Sequence, residues 1–212
     1  MTAVGLRERK KEKTRLALLD AALSLFLEQG YESTTVEQIA GVVDVSPRTF
    51  FRYFTSKDHL VLWFHDHAEE ILLETLESRP PEESPFTAMM HAIRAVIDDL
   101  EGATPEESDR FQKLRRLMDE HPHLVGQSVA RGAHTERRLA EMVAARRGTE
   151  PDADQLSYLI VAFAMSTMRV GFECPRRDGT LEEVMNRMSE TIDLAERSLR
   201  PGWDLQSSSR AR

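Results

Sequence analysis

Residues 34–57, TTVEQIAGVVDVSPRTFFRYFTSK, constrain the fold of this chain more than any other stretch. Thr34 or Thr35 can close the start of a helix with its side-chain oxygen, and Glu37 and Gln38 occupy the first turn, where a capping-box partner belongs. Val36, Ile39, Ala40 and Val43 recur at helical spacing and make one apolar face. Asp44 breaks that face where a tight turn needs a residue tolerant of the left-handed region. Ser46 caps a second helix, and Pro47 takes its first position, where a missing N–H costs nothing. That helix, over 47–54, presents Arg48, Thr49 and Arg52, with Phe50, Phe51 and Phe54 supplying bulk. Two short helices across a tight turn, the second both basic and aromatic, are the pattern of a helix-turn-helix. Such a motif meets double-stranded DNA by putting the N-terminal end of its second helix into the major groove.

At Thr34, Thr35, Ile39, Ala40, Val45, Ser46, Thr49, Phe50, Phe51, Arg52, Tyr53, Phe54, Ser56, Lys57 and Leu60 the sequence resembles the TetR family of bacterial transcriptional regulators. The resemblance covers roughly residues 13–62; beyond them it is one of architecture only. Two positions depart from the family pattern. Asp44 stands where Gly is usual, which implies a more strained turn. Phe51 stands where Tyr is common, which implies a missing phosphate-binding hydroxyl. The resemblance implies an all-α homodimer: an N-terminal three-helix helix-turn-helix domain, then a C-terminal helical regulatory and dimerisation domain, about nine helices in all. It also implies a small-molecule effector of unknown identity that releases a repressor from a palindromic operator.

Charge agrees with that division. The whole chain carries a net charge of −8, yet residues 1–60 hold nine Lys/Arg against eight Asp/Glu, and the first fifteen hold six against two. Positive charge is gathered where phosphates would lie, and an acidic body would orient the molecule on DNA. A hydrophobic content of 41% supports a real core, while 30% charged residues of mixed sign fit a soluble globular chain. A single cysteine, Cys174, excludes a disulfide framework within one chain and suits a reducing cytoplasm. No apolar run reaches the length of a membrane span, so no membrane partner and a cytoplasmic location are expected.

Almost everything else reads as helix. Leu16, Leu19, Leu23 and Phe26 predict a helix over 12–28 that Gly30 ends. Ser56 opens one long helix to about residue 79, the natural lever between the reading head and the body. Further helices are predicted over 84–101, 104–119, 122–147, 152–173 and 180–199, with Gly126 and Gly132 weakening the third of these five. Domain boundaries are expected at 1–60 for the basic arm and DNA-binding domain and at 61–200 for ligand binding and dimerisation, with 201–212 a loose tail. Residues 156–172, LSYLIVAFAMSTMRVGF, are apolar nearly all round, and the last helix offers Leu181, Val184, Met188, Ile192, Ala195 and Leu199 down one face. These two helices are the expected dimer surface.

Candidate DNA contacts are Thr35, Ser46, Pro47, Arg48, Thr49, Arg52, Tyr53 and Lys57. Arg48 can grip guanine with two hydrogen bonds and the Thr49 methyl can meet thymine. Tyr53, Lys57 and the start of the helix at Thr35 suit phosphates, and Arg52 suits either a phosphate or a surface ion pair. For an effector pocket, which needs large apolar groups with sparse polar ones, the candidates are Trp63, His67, Met90, Arg94, Phe111, Phe163, Met168 and Phe172. No metal, cofactor or catalytic role is expected. His65 with His67 and His121 with His123 lack carboxylates or Cys at ligand spacing, and there is no Gly-rich phosphate loop or Gly-x-Ser-x-Gly. The alternatives are a regulator that takes no small molecule and a small-molecule-binding enzyme.

Overall fold

A computed structural model of the chain describes residues 3–100, 104–173 and 180–198. Cys174, the turn expected around 175–179 and the tail from 201 lie outside the described residues. The described chain contains ten α-helices: α1 Ala3–Gln29, α2 Val36–Val42, α3 Pro47–Tyr53, α4 Lys57–Val61, α5 Trp63–Ser78, α6 Pro85–Leu100, α7 Pro105–Glu120, α8 Pro122–Arg147, α9 Gln155–Glu173 and α10 Leu181–Ser198. A 3-10 turn, Pro151–Ala153, precedes α9. It belongs to the all-α class expected.

Two boundaries differ from the sequence expectation. α1 starts at Ala3, not near residue 12. Its first turns are rich in Arg, Lys and Glu, which have high helix propensity but leave no apolar stripe to read. The single long helix expected from Ser56 is two helices, α4 and α5, separated at Leu62 (φ −85°, ψ 4°). Leu60, Val61 and Leu62 are all buried. Three successive residues span about 200° of a continuous helix, too much to face one core, and the turn at Leu62 lets all three point inward.

By packing, the chain divides into two compact units. One is Met1–Phe64 with Thr104–Ser128; the other is His65–Ala103 with Val129–Arg212. In the first, Leu18, Leu19, Leu23 and Phe26 of α1, Ile39 of α2, Phe50 and Phe54 of the α3 segment, and Leu60 and Val61 of α4 form one core. Leu117 of α7 and Leu124 of α8 complete that core from far along the chain. Asp20 of α1 accepts two hydrogen bonds from Arg110 of α7 (2.6 and 3.0 Å), and Lys113 donates to Ser24 (3.2 Å). Arg110 is 5% exposed, and this forked pairing is what allows a guanidinium to be buried there.

In the second unit α9 and α10 pack together and α6 packs against both. Met89, Met90, Ile93 and Ile97 of α6, Ile160, Val161 and Ala164 of α9, and Val184, Met188 and Ile192 of α10 are buried. Arg146 of α8 holds the chain just beyond the end of α5, donating to the carbonyls of Arg79 (3.0 Å) and Pro80 (2.6 Å).

Asp154, 8% exposed, starts α9. It accepts from Ser157 Oγ (2.6 Å), Ser157 N–H (3.3 Å), Arg147 Nε (2.9 Å) and the Thr149 hydroxyl. Burial alone would push this carboxyl up, but these four donors together hold it well below the usual carboxylate range. A carboxylate depressed in the folded state stabilises the fold above its unfolded pKa and loses that contribution as pH falls. Asp154→Ala should therefore cost about 2 kcal/mol at pH 7. The gap from the parent should shrink as pH drops below about 4, the ordinary carboxylate range. Urea unfolding of both proteins from pH 7 to pH 3 measures this, and a gap that stays constant would contradict it.

Candidate nucleic-acid interface

The reading head is built as the sequence pattern requires. Thr35 accepts from the Gln38 N–H (3.2 Å) while the Gln38 side chain accepts from the Thr35 N–H (2.8 Å), a complete capping box at α2. Thr34 is buried and turns inward, its hydroxyl donating to the Gly30 carbonyl (2.8 Å). Asp44 makes the turn at φ 56°, the only non-glycine in the left-handed region among the described residues. Val45 N–H closes that turn on the Ala40 carbonyl (3.0 Å). Ser46 caps α3 by accepting from Thr49 N–H (3.2 Å), with Pro47 at the first position.

Phe50 and Phe54 are fully buried, which anchors one side of α3. Helical rotation then sends Arg48 and Arg52 to the opposite side, and both are exposed. Thr49 is half-buried, and its hydroxyl lies 3.0 Å from that of Ser46, so the two hydroxyls engage each other. The Arg52 guanidinium sits 5.1 Å from the Tyr53 ring centre and donates weakly to its hydroxyl (3.4 Å). Thr35, Ser46 and Pro47 are exposed, and Tyr53 is half-buried. Phe51, expected as bulk alongside Phe50 and Phe54, is instead 55% exposed, with its ring edge-on to Phe50.

Lys57 has a structural engagement that its sequence position gave no hint of. Its ammonium donates to the carbonyls of Tyr31 (2.8 Å) and Thr34 (2.9 Å) and lies 4.6 Å from the Tyr31 ring centre. It thereby ties α4 to the turn between α1 and α2, leaving one of its three N–H groups for another acceptor. Tyr31, 3% exposed, donates to Asp58, which also accepts from Gln127 of α8 (2.7 Å). Burial would raise the Asp58 carboxyl, but the bonds from Tyr31 and Gln127 outweigh it and hold the group below its ordinary value. His121 and His123 lie beside the Tyr31 ring, each 5.3 Å away between centroids. Gly30 before Tyr31 marks the turn in the sequence, but nothing marks Gln127, whose partner is 69 residues away.

The basic stretch at the N-terminus is the first part of α1, with Arg9, Lys10, Lys11 and Lys13 exposed.

The eight effector candidates are divided between the two units. Trp63 and Phe111 belong to the first unit, Phe111 buried and Trp63 half-buried against its core. In the second, Met90 is core, His67 pairs with Asp99 (2.9 Å), and Arg94 pairs with Asp193 and Glu196 (3.0 Å each). Met168 is half-buried, while Phe163 and Phe172 are 40% and 39% exposed on α9. An open cleft of about 450 Å³ in this unit is lined by Asp66, Glu69, Ala130, Arg131, His134 and Arg138, none of them among the eight. Arg131 pairs with Asp66 and Arg138 with Glu69 across it. Among the described residues, no three His, Cys, Asp or Glu side chains come together as metal ligands, and no helix is long and apolar enough to cross a membrane.

Comparison with known proteins accords with this geometry. Residues 18–62 match the family model described as bacterial regulatory proteins, tetR family, and residues 87–199 match the MftR C-terminal domain. The chain is 40% identical to the HTH-type transcriptional regulator TcmR of Streptomyces glaucescens over 93% of this chain and 87% of that protein. It is 26% identical to the HTH-type transcriptional repressor KstR of Rhodococcus jostii over 87% of this chain and 83% of that one. Among solved structures it shares its fold with NalD of Pseudomonas aeruginosa, with a TM-score of 0.53 at 20% identity over 91% of this chain and 99% of NalD. These relatives are transcriptional regulators, not enzymes, and TetR-family regulators bind DNA operators and act as dimers. A matching DNA-binding model at the helix-turn-helix, a matching C-terminal model and 40% identity along nearly the whole chain show that this protein is a DNA-binding transcriptional regulator of the TetR family.

Proposed function

We propose that the protein is a repressor that reads a pseudo-palindromic operator with Arg48, Thr49 and Arg52 and is released by a small-molecule effector. The observation that carries this reading is α3 itself: a capped helix with Phe50 buried on one side and Arg48 and Arg52 exposed on the other. Arg48 has no intramolecular hydrogen bond among the described residues, so its guanidinium is available to a guanine edge. Lys57, Tyr53, Thr35, Ser46 and Pro47 are assigned to the phosphate backbone and to register. The proposed division places DNA reading in residues 1–60 and regulation with dimerisation in 61–200.

Dimerisation is assigned to α9 and α10, though not to the α10 face read from the sequence, because Leu181, Val184, Met188 and Ile192 are buried within the chain itself. Tyr158, Leu159, Phe163, Val170 and Phe172 of α9 and Leu194 of α10 are 39% to 57% exposed, an apolar face that a second copy would cover. A second reading, a regulator that takes no small molecule, is favoured by the open, ion-paired character of the 450 Å³ cleft, which offers little apolar wall to a ligand.

The test is binding of the purified protein to its own upstream intergenic DNA and to random DNA across a salt series. Arg48→Ala should cost about 1–3 kcal/mol on the specific site and relax preference at one base position. Lys57→Ala should weaken binding to both DNAs alike and lower the salt slope by about 1. It should also lower the melting temperature, because it unties α4 from the Tyr31 turn. Equal losses on specific and random DNA from both changes would overturn the role assignment.

A further inference from the structure

We propose that Phe51 is a specificity residue, and that it and Arg48 together read a thymine next to a guanine, the phenyl ring against the thymine 5-methyl group and the guanidinium on the guanine edge. This rests on the DNA-binding function and on the assignment of Arg48 above. Three observations on α3 carry it. First, Phe51 keeps 55% of its surface exposed although the buried core with Phe50 and Phe54 lies directly beside it. A large apolar side chain on a basic, otherwise polar reading face is a cost in the free protein that contact with a partner removes. Second, Arg48 and Phe51 are three residues apart, so their side chains are neighbours on one flank of the helix. The other flank is occupied by Arg52 and Tyr53, which contact each other. Third, Thr49, whose methyl group is the other apolar contact assigned to thymine, is half-buried, so Phe51 offers the larger exposed apolar surface on α3.

The chemistry follows. Phenylalanine has no hydroxyl to give a phosphate, so its only favourable contact in the major groove is apolar, and the thymine methyl is the apolar group that the groove displays. A guanidinium three residues away reaches the neighbouring base pair on the same wall of the groove, which joins the two contacts into one dinucleotide signature.

The experiment is selection of preferred sites from a random DNA library with the parent protein and with Phe51→Ala. The selected sites are then resynthesised with each thymine replaced by deoxyuridine, which removes only the methyl group. For the parent, selected sites should hold a thymine beside the guanine lost from the Arg48→Ala consensus, and deoxyuridine there should weaken binding about fourfold for each methyl removed. Phe51→Ala should lose the preference for that thymine and bind the thymine and deoxyuridine sites equally, while keeping the guanine. The exposure of Phe51 keeps the variant folded, which thermal melting checks. Equal binding of the two sites by the parent, or uniform weakening of Phe51→Ala on all sequences, overturns the proposal and makes Phe51 a backbone contact. Failure of Arg48→Ala to change the guanine preference would sink the earlier assignment of Arg48 instead, and enrichment of no sequence at all would sink site-specific reading altogether.

Discussion

Phe50→Ala should destabilise the first unit by about 3–5 kcal/mol, the cost of removing a fully buried aromatic from a packed core. Its ring lies 5.5 Å from Phe51 and 5.7 Å from Phe54 between centroids, and the same core holds Ile39 of α2 and Leu19 of α1. Typical domain stabilities are about 5–15 kcal/mol, so the loss takes a large share of what holds α2 and α3 in register. The functional consequence is loss of operator binding without the loss of a single DNA-contacting side chain. Hydrogen exchange followed by mass spectrometry should show amides of 18–62 exchanging faster while those of α6, α9 and α10 keep their protection. Unchanged exchange in 18–62 together with parent-like DNA binding would mean that Phe50 is not the support described here.

Among the described glycines of the second unit, Gly171 is where an added methyl group should do most damage, with Gly171→Ala costing about 3 kcal/mol. A methyl group at Gly171 would meet the Cα of Met188 at 2.8 Å and its Cγ at 3.0 Å. The side-chain atom can swing away, but the backbone atom cannot, so α9 and α10 would have to separate. Those two helices are buried against each other through Ile160, Ala164, Val184 and Met188, and they carry the surface assigned to the second copy. Thermal unfolding should therefore shift downward, and sedimentation should show weaker self-association than the parent. Gly132→Ala is the control: a methyl group there meets nothing within 4 Å, and the exchange in mid-helix should stabilise slightly. Comparable destabilisation by both changes would place the cause elsewhere than in the contact with Met188, since helix propensity favours Ala at both positions.

The amino-acid sequence by itself determined the parts governed by local chemistry. Thr35, Ser46, Thr104 and Thr180 cap helices because a side-chain oxygen three residues before a free N–H needs no tertiary partner. Asp44 makes the left-handed turn because that conformation is chosen by the residue and its neighbours. The inward placement of Phe50 follows from its position on α3, opposite Arg48 and Arg52, while Phe54 is buried just beyond the end of that helix. Tertiary structure alone decided what depends on distant segments or on competition for one core. Nothing local says that α7 and the start of α8 complete the core beneath the helix-turn-helix, with Arg110 on Asp20 and Gln127 on Asp58. Nothing local says that Leu62 turns the chain to bury three successive apolar residues, that Lys57 is held by carbonyls, or that Gly171 is the point where two helices nearly touch. Phe51 was legible only in part: its place where Tyr is common put it on the DNA side, but how much of its ring stays exposed beside buried Phe50 and Phe54 is set by the packing. The physical reason is common to all of these. Caps and turns are settled within four residues of sequence, whereas burial and ion pairing are settled by which surfaces meet.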